Sequence, residues 1–573
     1  MPMKIWCDIV QSSYLCKMSL REYQINPWVV MAAFAILVGP FALSFHMHFP
    51  DEMYYTDAAV KMLQNGDYLT TYLGNGELRF RKPIGTYWVV LAGFKLFGVS
   101  AFSSRIFFLI AGALTVGLTY WLAKILFQDK KIAGISSLII AANPVLIFAA
   151  TRSIPDVLLG LTMTSSAIGF AALIQFGDQT PKKYLWLLYL SLAFAFEIKG
   201  LPAVGMGGIA FIYLLVNPWK KISFKTILHI PSIVVAVIIG LFWFIAMWII
   251  HGPTYLNSFF DDQLGSRMTS RHLLILKNGL LAISFLIAIY IPWNFLAAAK
   301  LKKDIKTTWN ENKVFFGFAL LWIIAVLGMG AFTAKFYERY LLPVAPVLAV
   351  LLGWILVRGG FEARRLGLKI STWVFLALNT IILIFSLWIN LQLGSSLWIY
   401  LQIACGIIIL AFLVRLNLKG DKLPKALSYS ILLLFFILST ATAKISLPEQ
   451  GSQISDFVKT NSIDPKEEIG FIGNIHVSSK IRVYLGPSFY MTDLTGEKSK
   501  TDEELIMESK NYPNLIVEDK LLEKLPIQNY EVQLASVNWD SKKIPFLLQN
   551  ISSPNFSELI KENGKIYYWL KKK

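Results

Sequence analysis

Cysteine is nearly absent from this chain of 573 residues: only Cys7, Cys16 and Cys405, with no CxxC pair. That excludes a disulfide framework and a cysteine-ligated metal cluster. Histidine is also scarce, and its six residues never pair at ligand spacing, so no metal site can be read. Charged residues make up 16% of the chain, against roughly a quarter in soluble globular domains. A string of soluble domains is thereby excluded. Internal repeats and low-complexity tracts are missing too, which rules out solenoids and tail-like linkers.

What is present is apolar surface: 55% hydrophobic residues, 14% aromatic residues and a mean hydropathy of +0.55. The formal net charge of +18 is unevenly placed. From Ile445 onward 16 basic residues face 18 acidic ones, while everything before carries 38 basic against 18 acidic. The excess lies in short loops between long apolar runs, not in the polar basic stripes of a nucleic-acid binder. This is the pattern of a polytopic α-helical membrane protein.

At about 20 apolar residues per crossing, thirteen spans are expected. They lie near 28–47, 104–127, 132–149, 153–177, 184–197, 200–216, 226–250, 273–299, 313–333, 341–358, 369–393, 396–415 and 426–444. The segment 84–98 is short and Gly-interrupted, and reads as interfacial or re-entrant. The loops holding Lys130/Lys131, Lys220/Lys221/Lys225, Lys300–Lys313, Arg358–Lys369 and Arg415–Lys425 are all basic and fall on one side. By the positive-inside rule that side is cytoplasmic. The first span has no small-residue cleavage site and reads as an uncleaved anchor. The organisation expected is a cytoplasmic segment over 1–27, a membrane domain over 28–444 whose first outer loop is 48–103, and a small extracytoplasmic α/β domain over 445–573.

That first outer loop, about 55 residues, is far longer than a connection needs. Acids open it at Asp51, Glu52 and Asp57; cations close it at Arg79, Arg81 and Lys82; tyrosines interleave, Tyr55 among them. Taken singly, each group has an ordinary explanation: Asp51 as a helix N-cap with Gly66 ending that helix, and the cations as headgroup anchors. Together they suit chemistry at the bilayer edge. A carboxylate acts as general base for an acceptor, and a cation cluster holds a phosphate leaving group.

The same residues carry a family resemblance. Asp51-Glu52, Gly66-Asp67-Tyr68, Phe80-Arg81-Lys82-Pro83 and Tyr87-Trp88 are similar to motifs of the lipid A aminoarabinose transferases. These are GT-C-fold glycosyltransferases related to the dolichyl-phosphate-mannose–protein mannosyltransferases. The likeness continues through Arg105-Ile106-Phe107, Arg152 to Asp156, Lys199-Gly200-Leu201-Pro202, Pro292-Trp293 and Arg339-Tyr340-Leu341-Leu342-Pro343, covering most of 45–350. It implies inverting sugar transfer from a polyprenyl-phosphate carrier to a glycolipid, protein or envelope glycan on the outer membrane face; an abundance of Ile and Lys without disulfides points to a bacterial inner membrane. The resemblance also implies Asp51 as the catalytic carboxylate with Glu52 assisting, and Lys82 and Tyr340 at the donor phosphate. The chain departs from the family pattern where Arg81 replaces a Glu, Ile84 a Pro and Tyr54 an Arg, and these changes add positive charge near the phosphate.

Other assignments rest on less. Arg79, Arg81 and Arg267 are assigned to the phosphate, and Tyr55, Arg152 and Asp156 to substrate. Asp156 beside Pro155 is equally ordinary helix-start chemistry. A divalent cation is not readable from the sequence. A diphosphate-carrier glycan ligase and a lipid or sugar transporter are the competing readings. The orientation predicts that alkaline phosphatase fused after Lys573 is active, and that the same reporter fused in the Lys220/Lys221 loop is not.

Overall fold

The computed structural model describes residues 25–43, 51–266, 271–299, 310, 312–420, 422–445, 450–495, 500–539 and 543–573. Every one of the thirteen expected apolar segments contains helix. Eight described helices are long and apolar enough to cross a membrane, from Ala101–Phe127 to Leu423–Ala441. The pair Lys130–Ala141 and Pro144–Ala150, bent by 62°, forms either one broken span or a re-entrant loop. Asn143 makes that bend: its side chain accepts from the Val145 and Leu146 amides, and Pro144 starts the next helix. A proline cannot continue the preceding hydrogen-bond ladder but suits a first helical turn. The expected spans at 28–47, 184–197, 200–216 and 273–299 are filled by Pro27–Leu43, Lys182–Lys199, Leu201–Val216 and His272–Ala288. The second of these has charges at both ends and the others are shorter than 18 residues.

The first outer loop folds into three pieces. A helix, Glu52–Asn65, is closed by Gly66 in the left-handed region (φ 74°). A small hairpin follows, with Tyr72 bridging Leu78. The helix Gly85–Phe97 comes next; at 13 residues it is about 20 Å long, too short for a ~30 Å hydrocarbon core. Within the loop Trp88 Nε1 donates to the Tyr68 carbonyl, and the loop is stitched to the membrane body by Trp243 Nε1, which donates to the Leu69 carbonyl, and by Thr70 Oγ1, which pairs with His251 Nε2.

The deepest stitch is ionic. Glu52 and Arg105 are both fully buried and bidentate, with Nε–Oε1 at 2.8 Å and Nη2–Oε2 at 2.7 Å. The Ser153 amide and hydroxyl also donate to Glu52 Oε1. Two buried charges thus satisfy each other and join the first loop to Ala101–Phe127 and to the turn before Pro155–Phe176.

Beyond Gln450 the chain forms a five-stranded sheet: β1 (Ile469–Ile472), β2 (Met491–Asp493), β3 (Asn514–Glu518), β4 (Tyr530–Asn538) and β5 (Lys565–Lys572), ordered β2-β1-β3-β5-β4. β1 runs parallel to β2 and β3, and β5 antiparallel to β3 and β4. Both faces are covered: Ile454, Val477 and Ile481 pack against Phe471 and Trp569 on one, while Leu505 and Leu525 pack against Leu515 and Leu570 on the other. A sheet buried on both faces has strands that are apolar throughout, as β1 is (Ile-Gly-Phe-Ile). Leu547, Ile551 and Ile560 cluster with Ile389, docking this unit on the end of Arg365–Leu393.

Removing one partner of a buried ion pair strands the other, at about 3–5 kcal/mol. Glu52→Ala should therefore lower the unfolding midpoint in detergent more than any exposed-loop alanine, as read by a thermal-shift assay.

Candidate active site

Asp51 occupies the N-cap position of Glu52–Asn65, yet its side chain makes no capping bond. It is 43% exposed and accepts from Arg339 Nη2 at 2.8 Å. Arg339 comes from the 3-10 turn Glu338–Val344, and its Nε lies 3.2 Å from Asp156 Oδ2. The other oxygen of Asp156 accepts from Lys199 Nζ at 2.6 Å. Carboxylate, guanidinium, carboxylate and ammonium thus alternate along one line. Asp156 is buried in the first turn of Pro155–Phe176, where both a helix N-terminus and two cations stabilise a carboxylate.

Lys199 and Arg339 face a cavity of about 500 Å³, together with Lys82, Lys335, Tyr337 and Tyr340. Its other walls are Leu159, Leu201, Pro202, Met206, Val326 and Met329. One end is cationic and aromatic, the rest apolar. Lys199 Nζ sits over the Tyr340 ring at 4.6 Å, and Arg339 over the Tyr337 ring at 4.1 Å. Lys82 is nearly buried, 3.9 Å from Asp262 Oδ2. Gln263 Nε2 donates to Asp262 and to the Arg81 carbonyl, tying the turn Asp261–Ser266 to the cationic end of the first loop.

The other expected residues are placed differently. Glu52 is turned away from the cavity, both its oxygens held by Arg105 and Ser153. Arg79 is buried against the Tyr54 ring at 3.6 Å and donates from Nε to Tyr87. It thus brings a guanidinium to the residue where the family pattern has an arginine. Tyr55 packs against Tyr87 with ring centroids 4.8 Å apart and the rings tilted by 46°; burial, reinforced by Tyr87, raises its phenol and keeps it protonated. Arg152 lies near the Phe148 ring, and Arg81 is exposed. Neither lines the cavity. Arg267 lies outside the described residues. Among the described residues no group of three or more His, Cys, Asp or Glu side chains is placed to hold a metal ion.

Sequence reading assigned no role to Lys199, Arg339, Lys335 or Gln263. The signal for the first was a lysine closing a largely apolar helix just before Gly200-Leu201-Pro202, a costly placement at membrane depth unless used. Arg339 was visible only as a neighbour of Tyr340.

Similarity to known proteins converges on one group. The family model for dolichyl-phosphate-mannose-protein mannosyltransferase matches residues 81–248. An uncharacterized protein of Aquifex aeolicus is 26% identical over 337 residues, 58% of this chain and 64% of that protein. The undecaprenyl phosphate-alpha-4-amino-4-deoxy-L-arabinose arabinosyl transferase of Yersinia pestis is 24% identical over 327 residues, 56% of this chain and 57% of the relative. The match therefore spans somewhat more than half the length of each curated relative. The crystal structure of ArnT from Cupriavidus metallidurans bound to undecaprenyl phosphate superposes with a TM-score of 0.69 at 16% identity, covering 94% of this chain and 97% of that one. The chain is a multi-pass membrane protein with the GT-C fold of ArnT, and it resembles the aminoarabinose transferases and the dolichyl-phosphate-mannose-protein mannosyltransferases.

Proposed function

We propose that the chain is a membrane glycosyltransferase that moves a sugar from a polyprenyl-phosphate carrier to an acceptor on the outer face of a bacterial inner membrane, with the N-terminus cytoplasmic and 445–573 outside. One observation carries the reading: an apolar cavity ends in Lys82, Lys199 and Arg339, beside an exposed carboxylate, Asp51. Such a cavity suits a lipid chain whose phosphate rests among the cations. The likeness to a transferase crystallised with undecaprenyl phosphate supports that carrier class.

Among the described residues three of the four cations that line the cavity are already paired with carboxylates, Lys82 with Asp262, and Lys199 and Arg339 with Asp156 and Asp51, which favours a monophosphate over the more highly charged diphosphate.

In the proposed step Asp51 Oδ1 takes the acceptor proton while Oδ2 stays on Arg339. The acceptor oxygen attacks the anomeric carbon from the face opposite the phosphate, giving inversion. The bond from that carbon to the phosphate oxygen breaks, and polyprenyl phosphate leaves without needing a proton. Lys82, Lys199 and Arg339 receive its charge, with Tyr340 against Lys199; Arg81 and Arg267 are the further cations we assign to the phosphate. Asp156 holds Lys199 and Arg339 at the spacing the phosphate needs. Glu52 acts through position, anchoring the helix that begins at Asp51. Tyr55, on that helix, and Arg79, packed against its Tyr54, support it from behind the cavity wall, with Arg152 beside Phe148. The acceptor is a glycolipid, a protein or an envelope glycan.

Asp51→Asn should abolish transfer in a protein that still folds and inserts. Lipid extracts from cells carrying it should retain a polyprenyl-phosphate sugar that wild type consumes, as read by mass spectrometry; undiminished consumption would sink the assignment. Lys82→Ala and Lys199→Ala should each raise the donor KM roughly 10- to 100-fold, the size of one lost charged hydrogen bond.

A further inference from the structure

The transfer step uses nothing from the C-terminal sheet unit, yet that unit grips the helix that begins at Asp51. Arg482, on the helix Ile475–Leu485, is 2% exposed and bidentate to Asp57: Nε–Oδ1 and Nη2–Oδ2 are both 2.9 Å. The same guanidinium donates to Asp493 at the end of β2, from Nη2 to Oδ2 at 2.8 Å, and to the Ser478 hydroxyl. Further contacts run along the Asp51 helix. His476 Nδ1 lies 3.0 Å from Met53 Sδ, Thr56 Oγ1 lies 3.4 Å from Ser479 Oγ, and Gln64 Nε2 donates to the carbonyls of Pro487 and Phe489. From the other side, the first-loop hairpin rests on the clasp at Gly74, where any β-carbon would overlap Arg482 and Asp493.

Two buried charge pairs therefore hold one helix. Arg105 of the membrane body holds Glu52, and Arg482 holds Asp57. Five residues separate the two anchors, so they lie about 140° apart around the helix axis at 3.6 residues per turn. A helix held at one point can roll; held from two faces it cannot. The roll decides where Asp51 points, one residue before the first anchor.

We propose that the C-terminal unit is a working part of the transferase site, in which Arg482 and Asp57 are positioning residues that fix the roll of Glu52–Asn65 and so aim Asp51. This rests on the glycosyltransferase reading given above. A mere docking surface would need no buried bidentate pair on the very helix that carries the base. Charges so deeply desolvated persist only when geometry keeps them together.

Asp57→Ala is the informative variant, because Arg482 keeps Asp493 and Ser478 within its own unit. In the full-length protein it should lower kcat about 10- to 100-fold, the cost of a small misplacement of a reacting group. Binding of undecaprenyl phosphate should stay within twofold of wild type. Amide hydrogen exchange should quicken over 52–65 and stay unchanged in β1, β3 and β5. Gly74→Ala, which removes no charge, should shift both readouts the same way. Thr56→Cys with Ser479→Cys, in a chain whose three native cysteines are serine, should tether the two helices. In the Asp57→Ala background this disulfide should restore kcat and slow exchange, and dithiothreitol should reverse both. An Asp57→Ala protein with wild-type kcat overturns the proposal, as does faster exchange throughout the sheet or a tether that restores nothing. The exchange and tether readouts do not depend on transfer: a wild type inactive on every polyprenyl-phosphate sugar would sink the functional reading while they still decide whether the clasp holds the helix.

Discussion

The guanidinium of Arg339 is the point on which the site depends. It bonds Asp51 and pairs with Asp156, while Asp156 in turn holds Lys199. Without Arg339 two carboxylates would face one lysine at the edge of an apolar cavity, where unpaired charge is expensive. With it, Asp51 is held by one oxygen and open at the other, and two cations stand ready along the cavity wall. In the proposed reaction the same residue orients Asp51 and contributes to the phosphate site. Glu338–Val344 supplies it as a tight turn just ahead of Ala345–Arg358, so its position is set by a span of the membrane body.

Charge pairs of the same kind tie the remaining parts together. Glu52–Arg105 joins the first loop to the bundle, and Asp57–Arg482 joins it to the C-terminal sheet. Both carboxylates lie on the helix that Asp51 begins, so Asp51 is braced from two sides at once. Buried pairs of this sort add little net stability compared with apolar packing, but they specify geometry, since any displacement leaves a charge unmatched. In the proposed reaction that geometry is what counts: the base must meet the acceptor while the phosphate stays fixed.

The class of the protein could be read without any structure. Long apolar runs, scarce charge and basic loops on alternate sides announced a polytopic membrane protein, and the first outer loop stood out as the place for chemistry. Asp51, Lys82, Asp156 and Tyr340 are legible in the sequence as site candidates, and the structure brings them to the cavity or its edge. Glu52 shows what one-dimensional reading misses. Beside Asp51 it looked like a second catalytic carboxylate, yet successive helical residues point about 100° apart, and its side chain turns inward to Arg105.

Local composition determined what the sequence alone determines here: apolar length sets which segments seek the bilayer, loop charge sets the expected orientation, and a Pro or Gly sets where helices start and stop. Contacts between residues far apart in the chain decided the rest. Arg339 reaches Asp51 across 288 positions and Arg482 reaches Asp57 across 425; neither pairing leaves a mark in local pattern. A charge must find its counter-charge once buried, but which partner it finds depends on how the helices pack, and only the tertiary structure decides that.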